Sequence, residues 1–367
     1  MKIGIFTFHR ATNYGAVLQA YALVSYLNSI GHDAKIIDYK PKGMANLFAS
    51  LNVPGLFMKL KRIAINILML PSLKNRKQKR DMFWKYIESV LPMTSKVNTS
   101  DDLPVMDAYI VGSDQVWSVC FTGGLDNFYW GQFQRKGAKM ISYAGSAAEN
   151  MEESFYNNNN SDMLETFDFI SVREEELRKY LQEKLPHKEI IRVLDPTLMA
   201  GVDYFEELIK GEKNHLKPYI LIYQVIRSKN DLIQKYAKEL SIIRGWNIVE
   251  IRNSRLHISS NGKISVLQGM INPTLYVSLF KYAKYVITTS FHGTAFSILF
   301  NKPFSVISVN TKVDSRARDM LIQLNLEKRL VSLPATIPSM DIDWNRINNK
   351  LVELRTPSRN FLQKSLS

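Results

Sequence analysis

Tyr285-Val286-Ile287-Thr288-Thr289-Ser290-Phe291-His292-Gly293-Thr294-Ala295-Phe296-Ser297-Ile298-Leu299-Phe300 decides how the rest of this sequence is read. Val286 to Thr289 is β-branched throughout and suits a buried strand. From Thr294 onward, Ala295, Phe296, Ile298, Leu299 and Phe300 crowd too tightly for strand alternation and suit a buried helix. Ser290-Phe291-His292-Gly293 is then the turn between them, at the carboxyl edge of a sheet. The first N–H groups of a helix lack intrahelical partners and the dipole adds partial positive charge, so such a turn favours anions. Gly293 lets a ligand approach the backbone. His292 can donate a hydrogen bond or a proton beside the anion. The plainer alternative is a helix N-cap carrying a satisfied histidine.

Working outward, the same device recurs along the chain. Lys2–Phe8 reads as a strand, Tyr14–Ile30 as an amphipathic helix closed by Gly31, and Ala34–Asp38 as the next strand. This βαβ unit implies parallel pairing with ligands at the carboxyl ends of the strands. Only Gly15 stands in its first loop, so no G-x-G-x-x-G is present and a nicotinamide cofactor is disfavoured. Asp107–Val111 runs into Gly112-Ser113-Asp114-Gln115-Val116-Trp117, and Lys139–Tyr143 into Ala144-Gly145-Ser146-Ala147. Phe167–Val172 ends on Arg173, with a charged helix, Glu174–Glu183, behind it; Ile190–Leu194 is followed by Asp195-Pro196-Thr197, which reads as the exit from a first domain. A second series follows: strands Pro218–Val225, Trp246–Ile251 and Pro303–Val309, with helices Asp231–Leu240, Thr274–Tyr282 and Arg316–Leu324.

The expected organisation is α/β, with a first domain over residues 1–200, a second over 216–335, and a helical tail over 336–367 that packs back on the first. The segment from about 41 to 91 reads as a helical, basic insertion. It groups Lys59, Lys61 and Arg62 with Lys74, Arg76, Lys77, Lys79 and Arg80 around an isoleucine- and leucine-rich centre. Such a helix can lie on a membrane surface, or simply present a solvated face.

The 367 residues, 46% hydrophobic and 22% charged, support ordinary globular cores. The net charge of +14 admits nucleic acid, an anionic membrane surface or small anionic substrates as partners. One cysteine, Cys120, excludes an intrachain disulfide framework and fits a reducing, cytoplasmic compartment. Neither a secretory pattern nor an apolar run long enough to span a bilayer is read. The six histidines show no zinc-binding spacing, so no metal is expected.

With these residues in view, the chain resembles the polysaccharide pyruvyl transferase family. The resemblance runs, in order, through Asn13-Tyr14-Gly15, Tyr109–Trp117 and Ile141-Ser142-Tyr143-Ala144. It continues through Ser171-Val172-Arg173-Glu174, Asp195-Pro196-Thr197-Leu198, Thr289-Ser290-Phe291-His292-Gly293 and Ser315-Arg316. It implies two Rossmann-like domains in a GT-B-like arrangement with the active site in the cleft between them. It also implies transfer of a pyruvyl group from phosphoenolpyruvate, the donor substrate, to a glycan or lipid-linked oligosaccharide, with no further cofactor and no nucleic acid partner. Phosphoenolpyruvate offers a carboxylate and a phosphate to Arg173, and an enol carbon to be protonated by His292. Gly293 and Thr294 would add backbone donors, and Asn13 and Gly15 would line the cleft. Gly112, Ser113 and Tyr143 would bind substrate, with Ser113 and Asp114 orienting the acceptor.

Asp114 reads either as a general base or as a turn carboxylate, Arg316 as a second anion clamp or a helix-start ion pair, and Ser290 as a phosphate ligand or a cap. Two other classes compete. One is a glycosyltransferase of the same shape using a nucleotide sugar, with Glu250 as its ribose carboxylate. The other is a non-catalytic binder of nucleic acid or anionic membrane through 59–80, possible without any role for the strand-end residues.

Overall fold

The computed structural model describes residues 1–41, 77–147, 151–156, 160–252, 254–260, 263–266, 270–309 and 314–367. Most of the basic insertion, with Lys59, Lys61, Arg62, Lys74 and Arg76, lies outside the described residues; its last part, 77–90, is helical. Residues 157–159 of the run Asn157–Asn160, whose composition reads as a surface loop, also lie outside them, while Asn160 is buried and donates to the Ser154 carbonyl.

The alternation of short apolar runs with helical segments produces two α/β domains. In the first, strands β1 (Lys2–Phe6), β2 (Asp33–Tyr39), β3 (Met93–Val97), β4 (Ala108–Val111), β5 (Lys139–Gly145), β6 (Phe169–Val172) and β7 (Ile190–Arg192) lie in the order β3-β2-β1-β4-β5-β6-β7, all parallel. In the second, β8 (Tyr219–Tyr223), β9 (Asn247–Arg252), β10 (Arg255–Ser260), β11 (Lys263–Val266), β12 (Tyr285–Thr288), β13 (Phe304–Ile307) and β14 (Leu330–Val331) lie in the order β11-β10-β9-β8-β12-β13-β14. Helices cover both faces of a parallel sheet, so its central strands are buried on both sides and carry apolar runs. Accordingly β4, β8, β12 and β13 are buried at every residue. The pairing of two such domains is the GT-B arrangement.

Three features depart from the sequence reading. The half-exposed strand β3 and the antiparallel extension of the second sheet beyond β9, formed by β10 and β11, carry weak hydrophobic patterning. The last helix, Trp344–Ser365, continues through Pro357, past Asp341–Leu354, the part of the tail whose spacing reads as helical. Tertiary contact holds it there. Phe361 and Leu362 are buried, with Phe361 beside Tyr143. Arg355 donates to the Leu198 carbonyl (2.7 Å), and Arg359 to those of Met199 and Ala200 (3.2 and 3.1 Å). These groups are otherwise the orphan carbonyls at the end of the short helix Pro196–Ala200. The last helix therefore lies on the first domain and braces the segment that begins at Asp195.

The two domains also meet directly. Tyr14 stacks on Tyr276 at 4.4 Å and donates to the Ile271 carbonyl, while Arg192 is ion-paired with Asp319 and Lys281 with Glu206. Among the described residues no helix is long and apolar enough to cross a membrane.

Ser358 accepts the buried Leu194 N–H at 2.9 Å. Ser358→Ala leaves that donor without its acceptor and is expected to lower stability by about 1–3 kcal/mol, read as a lower denaturant midpoint.

Candidate active site

Each sheet has a topological switch point, at which the strand order reverses and ligands bind beyond the carboxyl ends. In the first domain this lies between β1 and β4, in the second between β8 and β12. The loops leaving these four strands carry most of the candidate residues.

In the opening stretch, the helix begins earlier than expected and runs Phe291–Leu299, so His292 sits in its first turn instead of preceding it. Ser290 is the N-cap: its Oγ accepts the Gly293 N–H at 3.3 Å, and Thr294 Oγ1 donates back to the Ser290 carbonyl at 2.9 Å. The hydroxyls of Ser290 and Thr294 are thus engaged in building the helix start. The reading of Gly293 as a gap for a ligand is corrected. A Cβ there would fall 2.3 Å from Thr288 Oγ1, so the glycine makes room for a neighbouring hydroxyl.

His292 is 8% exposed and leans across the domain boundary onto Gly15. A Cβ on Gly15 would lie 2.1 Å from His292 Nδ1. Asn13 caps the first helix, Tyr14–Ser29, its Oδ1 accepting from the Gly15 and Ala16 N–H groups at 2.9 and 3.5 Å. Gly15 therefore receives the imidazole of the opposite domain.

The ring's other nitrogen looks toward Asp195, a residue the sequence reading took as a domain exit and as part of the family resemblance, with no role at the site. His292 Nε2 is buried without a hydrogen-bond partner, 3.8 Å from Asp195 Oδ2. The same oxygen accepts from Arg173 Nη1 at 2.9 Å and from Ser113 Oγ at 3.4 Å. Asp195 Oδ1 accepts the Thr197 N–H at 2.9 Å and so caps the helix Pro196–Ala200. The signal that could have found Asp195 was present: an Asp directly before a proline at N1 is a strong cap.

Arg173 is 5% exposed. Besides Asp195 it holds Glu174 (Nε to Oε1, 2.9 Å) and Ser146 (Nη2 to Oγ, 3.2 Å), and its guanidinium lies 4.7 Å from the centre of the Phe291 ring. His292 and Arg173, 119 positions apart by their numbering (292 − 173), therefore meet at one carboxylate.

Charge follows from this geometry. Burial lowers the His292 pKa below its ordinary value; Asp195 and Asp114 oppose the change, and Arg173 and Arg316 add to it. Burial alone would raise the Asp195 carboxyl, but attraction to His292 and Arg173 together with the Thr197 N–H outweighs it and holds the group below the usual carboxylate value. The Arg173 guanidinium stays charged: burial works against it, and its carboxylate neighbours more than compensate.

The remaining candidates divide. Arg316 lines a narrow pocket together with Arg173, Asp195, Phe291, Asp319 and Gln323. Its Nη atoms lie 2.7 and 3.0 Å from the Gln115 side-chain oxygen, when that amide is oriented to accept, so it reaches from the second domain to the first. Asp114 has a positive φ of 77° and its Oδ1 accepts the Gln115 N–H, which is the behaviour of a turn carboxylate. Three readings are corrected. Tyr143 is fully buried and donates to the Leu194 carbonyl, so it faces the core and not the cleft. Ser113, also fully buried, orients Asp195 and not an acceptor. Gly112, at φ 119°, is required by packing, since a Cβ would come 2.2 Å from the Tyr143 carbonyl oxygen.

Glu250, the carboxylate a nucleotide-sugar enzyme would need, is buried and held by Arg227 (2.8 Å), Arg252 (2.7 Å) and Gln234 (2.9 Å). Among the described residues no group of three His, Cys, Asp or Glu side chains is placed to hold a metal ion.

The polysaccharide pyruvyl transferase family matches residues 13–311. No curated protein matches the chain. Several solved structures are similar in shape. UDP-GlcNAc 2-epimerase from Neisseria meningitidis, bound to UDP-GlcNAc, is 12% identical, with 100% of this chain and 94% of that chain covered and a TM-score of 0.48. UDP-GlcNAc 2-epimerase from Methanocaldococcus jannaschii is 12% identical, with 97% and 93% covered and a TM-score of 0.48. The SsfS6 glycosyltransferase of Streptomyces sp. SF2575 is 11% identical, with 100% and 96% covered and a TM-score of 0.39. At these scores the likenesses decide nothing about chemistry.

Gly15→Ala tests the contact between the domains. The helix tolerates alanine, but its Cβ must displace the His292 ring, at an expected cost of about 1–3 kcal/mol. Water then reaches the imidazole. The His292 resonance in an NMR titration is expected to shift upward, toward the ordinary histidine value.

Proposed function

The chain belongs to the polysaccharide pyruvyl transferase family, and from that premise we propose that it transfers a pyruvyl group from phosphoenolpyruvate to two hydroxyls of one sugar. The sugar belongs to a cell-surface polysaccharide or its lipid-linked precursor, and the product is a pyruvate ketal. The observation that carries this reading is the meeting of His292 and Arg173 at Asp195, which also holds Ser113 of the loop after β4.

The chemistry asks for what these groups supply. Protonation of the donor's methylene carbon makes the neighbouring carbon electrophilic. One sugar hydroxyl adds there and gives up its proton, the bond from that carbon to the phosphate oxygen breaks, and the second hydroxyl adds and closes the ring. One of the two protons released balances the methyl group and the other leaves with phosphate. His292 is the acid, buried at the boundary between the domains. Arg173 and Arg316, which line one pocket with Phe291, are the cations for the donor's carboxylate and phosphate.

A nucleotide-sugar glycosyltransferase is the weaker reading, because two guanidinium groups already occupy Glu250. A phosphoenolpyruvate donor calls for a cytoplasmic reaction. Peripheral contact with the inner membrane surface belongs to the same proposal and rests on the basic segment 59–80.

The test is phosphate release from phosphoenolpyruvate with lipid-linked oligosaccharide acceptors. His292→Ala is expected to lower the rate by about 10²–10⁴-fold, the usual contribution of a positioned acid. Equal turnover by the variant would remove His292 from the chemistry. A nucleoside diphosphate that binds where phosphoenolpyruvate does not would turn the choice toward the glycosyltransferase.

A further inference from the structure

We propose that Asp195 is the positioning residue that lets His292 take up a proton when the anionic donor enters. This rests on the reading of His292 as the acid.

Four charged side chains act on the imidazole: Asp195 at the start of the helix Pro196–Ala200, Asp114 in the loop after β4, Arg173 at the end of β6, and Arg316 on the helix Asp314–Gln323. Gly15, packed on the ring from the first helix, contributes no side chain. Glu174 and Asp319 line the same pocket, so its carboxylates outnumber its guanidinium groups. An anion entering this pocket therefore finds little net attraction until the imidazole itself becomes charged. A buried imidazolium is costly unless a carboxylate receives it. The position is prepared for one: Nε2 is buried without a partner and stands 3.8 Å from Asp195 Oδ2, so a small approach makes the hydrogen bond.

The Asp195 carboxylate is held at three points. Arg173 holds Oδ2 at 2.9 Å, Ser113 at 3.4 Å, and the Thr197 N–H secures the other oxygen. The carboxylate cannot turn away. Asp195 thus ties the anion-binding guanidinium and the proton donor to one point, and donor entry supplies the negative charge that completes the pair.

The test separates this role from a structural one. Asp195→Asn keeps an oxygen for the Thr197 N–H; at the Oδ2 position an uncharged amide NH2 replaces the acceptor, so the charge and the Arg173 hydrogen bond are lost together. The His292 titration midpoint, read by NMR, is expected to move down by roughly 1–3 pH units, the usual effect of one close opposite charge. In turnover, the alkaline limb of the kcat/KM profile moves to lower pH by the same amount, and the variant approaches wild-type rates at acid pH. A structural role would instead lower the rate equally at every pH.

For wild type, calorimetry of phosphoenolpyruvate binding at pH 7.5 in two buffers of different ionisation enthalpy is expected to show proton uptake, abolished in His292→Gln. An unchanged His292 midpoint in Asp195→Asn, or uptake that is zero or survives in His292→Gln, would overturn the role of Asp195. Failure of phosphoenolpyruvate to support turnover defeats the donor assignment alone, because the NMR comparison needs no donor.

Discussion

A carboxylate sealed from water must be answered by hydrogen bonds and opposite charge, and Asp195 is answered by groups from both domains. Arg173, Ser113 and the Thr197 N–H come from the first; His292 comes from the second. Much of the surrounding structure serves to keep this arrangement in place. The last helix caps the carbonyls of Pro196–Ala200 with Arg355 and Arg359 and takes the Leu194 N–H with Ser358, so the residues around Asp195 are held on both sides. Tyr143 adds a bond to the Leu194 carbonyl from beneath.

Close approach of backbones is the second constraint. Gly15 and Gly112 stand where a single methyl group would collide with a ring nitrogen or a carbonyl oxygen. Gly15 lets the imidazole of one domain rest on the first helix turn of the other, which removes it from water and lowers its pKa. Packing and proton affinity are here the same fact, since the contact that joins the domains is also the contact that desolvates the imidazole.

The site's polarity is also unlike that of a simple anion trap. Arg173 is spoken for by Asp195, Glu174 and Ser146, and Arg316 reaches Gln115. Cations paired in this way exert less attraction at a distance than free ones would. The strongly positive composition of the chain as a whole, +14, is therefore a poor guide to this pocket.

Alternating apolar runs, a β-branched strand before a Ser-capped helix, and polar residues at strand ends are local patterns, with causes that act over a few residues. The sequence alone accordingly determined two α/β domains, the positions of most strands and helices, and His292 and Arg173 as the residues to watch. It failed at the strands β3, β10 and β11, where burial is too slight to impose a pattern, and at Pro357, where tertiary contacts override a local breaker. Which candidates face a ligand and which face the core was decided only by tertiary structure. Tyr143 and Ser113 look like site residues in the chain and turn inward in the fold, while Asp195 looks like a turn and becomes the meeting point of the site. The physical reason is that burial and charge pairing depend on neighbours brought together from distant parts of the chain, and only packing chooses those neighbours.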